Sequence, residues 1–170
     1  MAEQGDSLLQ GCRVLDLADE KGVLCGKLFA DLGADVIKIE CPGGDPARNI
    51  GPFFNDNPDP QKSLFWFYTN LHKRSITLNL ENYDGREIFK RLVKTADFVV
   101  ESFEPGYLES LGLGYSELEK INPSIIITSI TPFGQTGPYA SYNATDLIVV
   151  AMRGLVYIYG ETDRPPNSRS

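Results

Sequence analysis

Short runs rich in Val, Ile and Leu recur along the chain with helix-patterned segments between them. That alternation restricts the fold more than any other feature. "CRVLDLA" (12–18) reads as a buried strand. "GVLCGKLFADLGA" then sets Leu24, Leu28, Phe29 and Leu32 at helical spacing, with Gly33 as a stop signal. "DVIKIE" is the next strand, so the segment is a strand–helix–strand unit, which argues for parallel pairing with a right-handed crossover. "SITLNL" alternates like a strand, and "GREIFKRLVKTA" places Ile88, Phe89, Leu92, Val93 and Ala96 on one helical face. "DFVVES" and "SIIITSI" are further strands, separated by "GYLESLGLGYSELEKI", a helix broken at Gly112 and Gly114. "TDLIVVAMRGLVYIYG" is apolar nearly all round and predicts a buried helix, and "ETDRPPNSRS" predicts a loop. The expected fold is α/β, a doubly wound parallel sheet.

In such sheets ligands sit beyond the carboxyl ends of the strands, near the point where strand order reverses. The segments leaving those ends are "DEKG", "CPGGDPAR", "SFEPG" and "TPFGQTGP", all rich in Gly, Pro or polar residues. The stretch from Pro42 to Leu64 is dense in Pro, Gly, Asn and Asp and reads as a long loop. A second long polar stretch runs from Thr131 to Asp146, and loops of this length are usually functional.

The totals narrow the function. A chain of 170 residues with 42% apolar content can bury a real core. The net charge of −7 argues against a nucleic-acid surface, whose affinity comes from Lys and Arg on phosphates. It leaves room for a small anion held by a local cluster. No apolar run approaches the roughly 20 residues of a membrane span. The opening "MAEQGDSLLQ" is acidic and polar, unlike a secretory signal, so a cytoplasmic location is expected. Cys12, Cys25 and Cys41 form neither a zinc spacing nor a disulfide framework and read as reduced thiols.

Several chemistries fail on spacing. The first turn, "ADEKGVLCG", lacks the G-x-G-x-x-G dinucleotide fingerprint, and no P-loop is present. His72, the single histidine, lies beside two cations and reads as a surface residue rather than a catalytic base. One His and scattered Cys offer no metal-ligand spacing, so no metal is expected. "HKRS" supplies two cations, either as a solvated loop or as a phosphate contact. Asp146 opens an apolar helix, where a first-turn acid is favoured; it is also a candidate accessory carboxylate. Trp66, Phe65, Phe67 and Tyr68 form an aromatic cluster, better explained as core than as substrate contact.

Taken together, "GCRVLDLADEKGVLCGKLFADLGADVIKIECPGGDPAR", "KRSITLNL", "DFVVESFEPGYLESLGLGYSELEKINPSIIITSITPFGQTGPY" and "DLIVVAMRGLVYIYGETDRPP" resemble the class III CoA-transferases, the family that includes carnitine, bile-acid-inducible and formyl-CoA transferase-like proteins. The resemblance covers nearly all of Gly11 to Pro166. It implies a Rossmann-like doubly wound sheet, the incomplete large domain of such an enzyme: residues 1–10 as an N-terminal tail and 11–170 as the domain's N-terminal part, without the second domain or the C-terminal return. It implies transfer of coenzyme A from an acyl-CoA donor to a carboxylate acceptor through an aspartyl-CoA intermediate, by covalent catalysis. The attacking aspartate is expected beyond Ser170, so this stretch alone is expected to be inactive. Acyl-CoA and a carboxylic acid are the implied partners, and an interlocked homodimer the implied assembly. In this light the polar stretch 131–146 is expected to cover a bound acyl thioester.

Carried over position by position, the resemblance assigns Glu20, Lys21, Cys41, Leu78, Glu81, Ser102, Phe103, Tyr107, Ser110 and Asn143 to the coenzyme. Cys41 stands where many members have Arg, and Glu81 and Asn143 where Lys can occur. Lys38, Arg48, Lys73 and Arg74 are the cations available to compensate. Thr145 precedes Asp146 where the family's racemases have His, which speaks against an acyl-CoA racemase-like enzyme. A non-catalytic CoA-binding subunit is the remaining alternative.

Overall fold

The computed structural model describes residues 7–154. Five strands, β1 (Arg13–Asp16), β2 (Asp35–Glu40), β3 (Arg74–Thr77), β4 (Phe98–Glu101) and β5 (Ile126–Ser129), form one sheet in the order β3-β2-β1-β4-β5. Every pairing is parallel. The helices are α1 (Val23–Asp31), α2 (Leu64–Thr69), α3 (Tyr83–Val93), α4 (Tyr107–Ser110), α5 (Tyr115–Ile121) and α6 (Asp146–Met152). The chain winds outward from β1 to β3, then crosses back to lay β4 on the other side of β1. The order therefore reverses between β1 and β4, and the loops leaving those strands part there, where ligands bind in sheets of this kind.

Residues of each strand alternate between the two faces. Leu15, Ile37, Ile39 and Val99 point one way and pack with Phe89 and Val93 of α3, Leu118 of α5, and Leu108 and Leu113. Val14, Val36 and Val100 point the other way, with Ala18, Ala30 and Ala34. The same alternation places Asp16, Lys38 and Glu40 on this second face, and all three are buried.

The helix expected from Leu24, Leu28, Phe29 and Leu32 forms, but its orientation is the reverse of the one that spacing implied. Leu24 and Leu28 are 58% and 61% exposed and Leu32 is also exposed, while Val23, Gly26, Lys27 and Ala30 are buried. The reason is close approach: a Cβ on Gly26 would lie 2.1 Å from Asp16 Oδ2. Only the small-residue side of α1 can lie on that carboxylate, so the leucines turn outward.

α3 follows its periodicity, with Phe89, Val93 and Ala96 buried and Ile88 at the margin. The helix break at Gly112 and Gly114 separates α4 from α5 as expected. The stretch 42–64 is more ordered than its composition suggests. Asp45 accepts the Ala47 N–H at 2.8 Å to cap a 3₁₀ turn (Pro46–Asn49), and Ser63 accepts the Trp66 N–H at 3.1 Å to cap α2. The aromatic cluster on α2 divides: Trp66 is buried, Phe65 half-buried, and Phe67 and Tyr68 are exposed. All three cysteines are free thiols.

The chain falls into two compact units with the boundary between Thr131 and Pro132. Within the second, the Tyr139 ring lies tilted to Phe133 and edge-on to Tyr142, at 6.3 and 5.3 Å between ring centroids. α6 buries none of its residues, contrary to the expectation of a buried helix: within its seven residues, Leu147, Ile148 and Met152 are exposed. The remainder of that apolar stretch and the loop at 161–170 lie outside the described residues.

Candidate functional site

A cavity of about 430 Å³ opens at the carboxyl ends of β1 to β4. Leu17 and Asp19 reach it from the β1 exit, Ile39, Glu40 and Cys41 from β2, Leu78 to Glu81 from β3, and Phe103 and Tyr107 from β4. The loop after β2 adds Asp45 and Pro46. Each contribution has a local cause. A Cβ on Gly85 would meet the Asn79 carbonyl oxygen at 1.7 Å, so glycine lets the start of α3 press against the β3 exit. Gly106, at φ 85°, takes the left-handed turn that opens α4 and sets the Phe103 and Tyr107 rings 4.8 Å apart. The Phe103 N–H donates to Glu101 Oε2 at 2.7 Å. Burial pushes the Glu101 carboxyl pKa up, against the hydrogen bonds from Ser129 and the Phe103 N–H.

At the strand-order reversal, Asp19 and Ser102 lock two loops together. Ser102 Oγ donates to Asp19 Oδ1 at 2.7 Å and accepts the Asp19 N–H at 2.9 Å. Lys21 Nζ lies 3.3 Å from Asp19 Oδ2.

Beneath the cavity lies a layer of buried ion pairs. Lys38, 1% exposed, pairs with Asp45 Oδ2 at 2.8 Å and donates to the Ala18 carbonyl, so one ammonium ties the β1 exit to the β2 loop. Glu40 receives Arg48 through Nε at 2.6 Å and Nη2 at 2.8 Å, the Ser75 hydroxyl at 2.5 Å and the Asp45 N–H at 3.1 Å. Burial pushes the Glu40 carboxyl up, but these donors outweigh it and hold the pKa at about 2. The Arg48 guanidinium also lies over Trp66, 4.0 Å from the ring centroid. Lys73 Nζ meets Asp16 Oδ2 at 2.8 Å, Asn70 Oδ1 at 3.1 Å and the Val23 carbonyl at 3.2 Å. Burial lowers the Lys73 pKa, and Asp16 opposes that shift.

Of the residues singled out from sequence, Cys41, Leu78, Glu81, Phe103 and Tyr107 line the cavity. Ser102 and Lys21 do not line it; both act on Asp19. Glu20 is exposed in the turn before α1, and Ser110 Oγ donates to the Tyr107 carbonyl at 2.7 Å instead of facing the cavity. Asn143 and Asp146 belong to the second unit and are exposed; Asp146 opens α6 behind an extended Thr145. The four cations available to compensate each pair with an acid: Lys38 with Asp45, Arg48 with Glu40, Lys73 with Asp16 and Arg74 with Asp35 at 2.6 Å. Sequence reasoning missed Leu17, Ile39, Asp19 and Asp45. Leu17 follows β1 and Ile39 is the penultimate residue of β2, both on the α3 side, so alternation could have found them; the two acids are placed by tertiary pairing.

The cavity combines apolar residues, a tilted aromatic pair and several hydrogen-bond acceptors, the mixture typical of small-molecule sites. The sequence pattern described as CoA-transferase family III matches residues 9–170. The chain belongs to that family. Among family III relatives, it is 47% identical over 154 residues to the succinyl-CoA:(R)-benzylsuccinate CoA-transferase subunit BbsE of Thauera aromatica, covering 90% of this chain and 38% of the relative. It is 44% identical over 162 residues to the succinate–glutarate CoA-transferase of Agrobacterium fabrum, covering 93% of this chain and 40% of the relative. The chain thus spans about 40% of the length of the curated relatives it matches. A crystal structure of a CAIB/BAIF family protein from Brucella suis superposes with a TM-score of 0.86 at 40% identity, over 97% of this chain and 44% of that one. The doubly wound α/β family III fold is therefore the fold of this chain.

Proposed function

We propose that this chain carries the coenzyme-nucleotide site of an enzyme that moves coenzyme A from an acyl-CoA donor to a carboxylate acceptor. The observation that supports this most directly is the cavity at the β1–β4 exits. Five positions that the family resemblance assigns to the coenzyme, Cys41, Leu78, Glu81, Phe103 and Tyr107, converge on it from three strands. At about 430 Å³ it sits low in the roughly 300–1,000 Å³ range of ligand pockets. That volume suits one end of an extended coenzyme.

In this reading the purine lies in the apolar slot against Phe103 and Tyr107. The pantetheine arm then leads toward an aspartate supplied by the part of the family's length that this sequence does not span. That aspartate attacks the thioester carbonyl and passes through an aspartyl-CoA intermediate. The segment 131–146 covers the thioester, and Asp146 is an accessory carboxylate. An interlocked homodimer in the cytoplasm is part of the same proposal. Racemisation is less favoured, because Thr145 stands where a base would precede Asp146. One relative is named a subunit, which keeps a CoA-binding subunit as the second reading.

Cys41 provides a direct test, because it lines the cavity and is exposed. Alkylation of the intact protein with iodoacetamide, read by peptide mass spectrometry, should label Cys41 at a rate that falls severalfold with millimolar coenzyme A. Labelling that coenzyme A leaves unchanged would sink the assignment of this cavity. Transfer of labelled CoA between acyl-CoA and succinate then separates an enzyme from a binding subunit.

A further inference from the structure

One guanidinium at the cavity rim points to what holds the charged end of the coenzyme, an inference that rests on the coenzyme reading above. No lysine or arginine lines the cavity. The cations beside and beneath it are tied to acids: Lys21 to Asp19 at 3.3 Å, Arg48 to Glu40 at 2.6 Å and Lys38 to Asp45 at 2.8 Å. Arg86 differs from them. Gly85 lets the first turn of α3 press on the Asn79 carbonyl, and Arg86 is the next residue along. Its half-buried side chain folds back on the β3 exit, where Nη1 donates to the Glu81 carbonyl at 2.7 Å and to the Leu80 carbonyl at 3.3 Å. Leu80 and Glu81 both line the cavity, so the guanidinium stands at its rim. Among the described residues no acid pairs with it, the neighbouring Glu81 carboxylate included.

Two other arginines show what its remaining edge is suited to. Arg48 gives Nε and Nη2 to Glu40 at 2.6 and 2.8 Å, and Arg74 gives the same two nitrogens to Asp35 at 2.9 and 2.7 Å. That edge is a planar fork matched to a carboxylate or a phosphate. In Arg86 the two carbonyls occupy Nη1 and fix the plane, while the Nε–Nη2 edge has no acceptor among the described residues. A fork held in place before the ligand arrives loses little freedom on binding. Coenzyme A carries a phosphate monoester on the ribose 3′-oxygen, with roughly two negative charges near neutral pH and three strong acceptor oxygens. We propose that Arg86 is a specificity-determining residue whose Nε–Nη2 edge grips this 3′-phosphate, so that the site prefers coenzyme A to its 3′-dephospho form. Glu81 is exposed and its carboxylate makes no bond among the described residues, so it is free to turn to solvent as the phosphate arrives.

The experiment is isothermal titration of the intact protein with coenzyme A and with 3′-dephospho-coenzyme A, for the native sequence, Arg86→Gln and Arg86→Lys. The native protein is expected to bind coenzyme A about tenfold more tightly than the dephospho form, the scale of one charge-assisted contact. Arg86→Gln should raise the Kd for coenzyme A by roughly the same tenfold and leave that for the dephospho form unchanged, so the preference disappears. Arg86→Lys keeps the charge without the fork and should restore part of it. The native preference should shrink between about 50 and 300 mM salt. The dephospho form is also the control for folding: Arg86→Gln gives up the bonds to the Leu80 and Glu81 carbonyls, and a loosened rim would weaken both coenzymes alike. Equal weakening would mean that Arg86 braces the rim or meets the pyrophosphate, and the inference falls while the coenzyme site stands. A native protein that binds both forms equally would also overturn it. If neither form binds, the coenzyme reading fails first and takes the inference with it.

Discussion

The two faces of the sheet are made from alternate residues of the same strands, yet they are held by different forces. On the α3–α5 face Leu15, Ile37, Ile39 and Val99 meet Phe89, Val93 and Leu118 in an entirely apolar layer. That attraction is non-directional and scales with buried area. On the α1–α2 face the strands place Asp16, Lys38 and Glu40 between small apolar residues, and each charge finds its partner within 2.8 Å. Removing charges from water is costly, and a buried pair is weak evidence of net stability. What the pairs do supply is direction. Lys38 joins the β1 exit to the β2 loop, and Glu40 joins that loop to β3 through Ser75. Three of the four elements around the cavity are thus set by the ionic face, while the apolar face supplies the platform.

Double substitution should break this contrast most visibly. Phe89→Ala removes a fully buried ring and should destabilise by about 3–5 kcal/mol. Lys38→Met should destabilise by a similar ~3–5 kcal/mol, because it strands Asp45 as an unpaired buried charge. The faces then diverge. Adding Asp45→Leu to Lys38→Met should restore at least ~2 kcal/mol, since charge-free replacement of a buried pair is often neutral or better. No second truncation beside Phe89 should restore anything. Urea denaturation measures all of these. A doubly substituted protein no more stable than Lys38→Met would mean that the ionic layer is held by packing, and the contrast would collapse.

How much of this could be read from sequence follows the same division. The strands of both faces were legible, because Val and Ile runs with period-two alternation signal them locally. α3 was legible for the same reason. α1 was placed correctly but faced wrongly: Leu24 and Leu28 outvote Gly26 and Ala30 in any apolar pattern, and the deciding contact is with Asp16 on another element. The ion pairs and the Ser102–Asp19 hydrogen bond were illegible, since Lys73 and Asp16 are 57 positions apart and Ser102 and Asp19 are 83 apart. "HKRS" alone is compatible with a solvated loop or a phosphate contact; in the fold Lys73 and Arg74 pair with Asp16 and Asp35, partners that no local pattern announces. The cavity was legible in outline from the loops at the strand ends, and five of its residues from the family resemblance. Asp19 and Asp45 were not, because only the folded pairing puts them there.

Acid offers a graded version of the contrast. The Glu40 carboxyl falls from its ordinary 4.5 to about 2 in the folded protein. A group whose folded pKa lies below its unfolded value stabilises the fold above the unfolded pKa. That contribution is lost as pH falls from about 4.5 toward 2. Asp35 adds in the same direction: burial raises its pKa, but Arg13 and Arg74 outweigh that and hold it below its ordinary value. The Glu40 share is at most about 3 kcal/mol, less whatever solvent screens. Stability measured by urea between pH 5 and 2.5 should therefore fall for the native protein, and fall less steeply for Glu40→Gln. Phe89→Ala should show the native slope from a lower start. A Glu40→Gln profile parallel to the native one would assign the acid sensitivity to other carboxyls.

The smallest expected effect tests direction alone. Arg48→Lys keeps the charge opposite Glu40 but gives up the fork that reaches both carboxylate oxygens and the plane that stacks on Trp66. If geometry matters on this face, stability should fall by about 1 kcal/mol, even though the net charge is unchanged. Trp66 is the single tryptophan, so its emission reports the contact without a label. Losing the guanidinium from its face should shift the emission, and the loosened β2 loop should raise the Kd for coenzyme A by a few fold. A pure charge requirement predicts neither change. Unaltered emission and affinity in Arg48→Lys would mean that any cation serves here, and the ionic face would then differ from the apolar one in composition but not in how it sets the cavity.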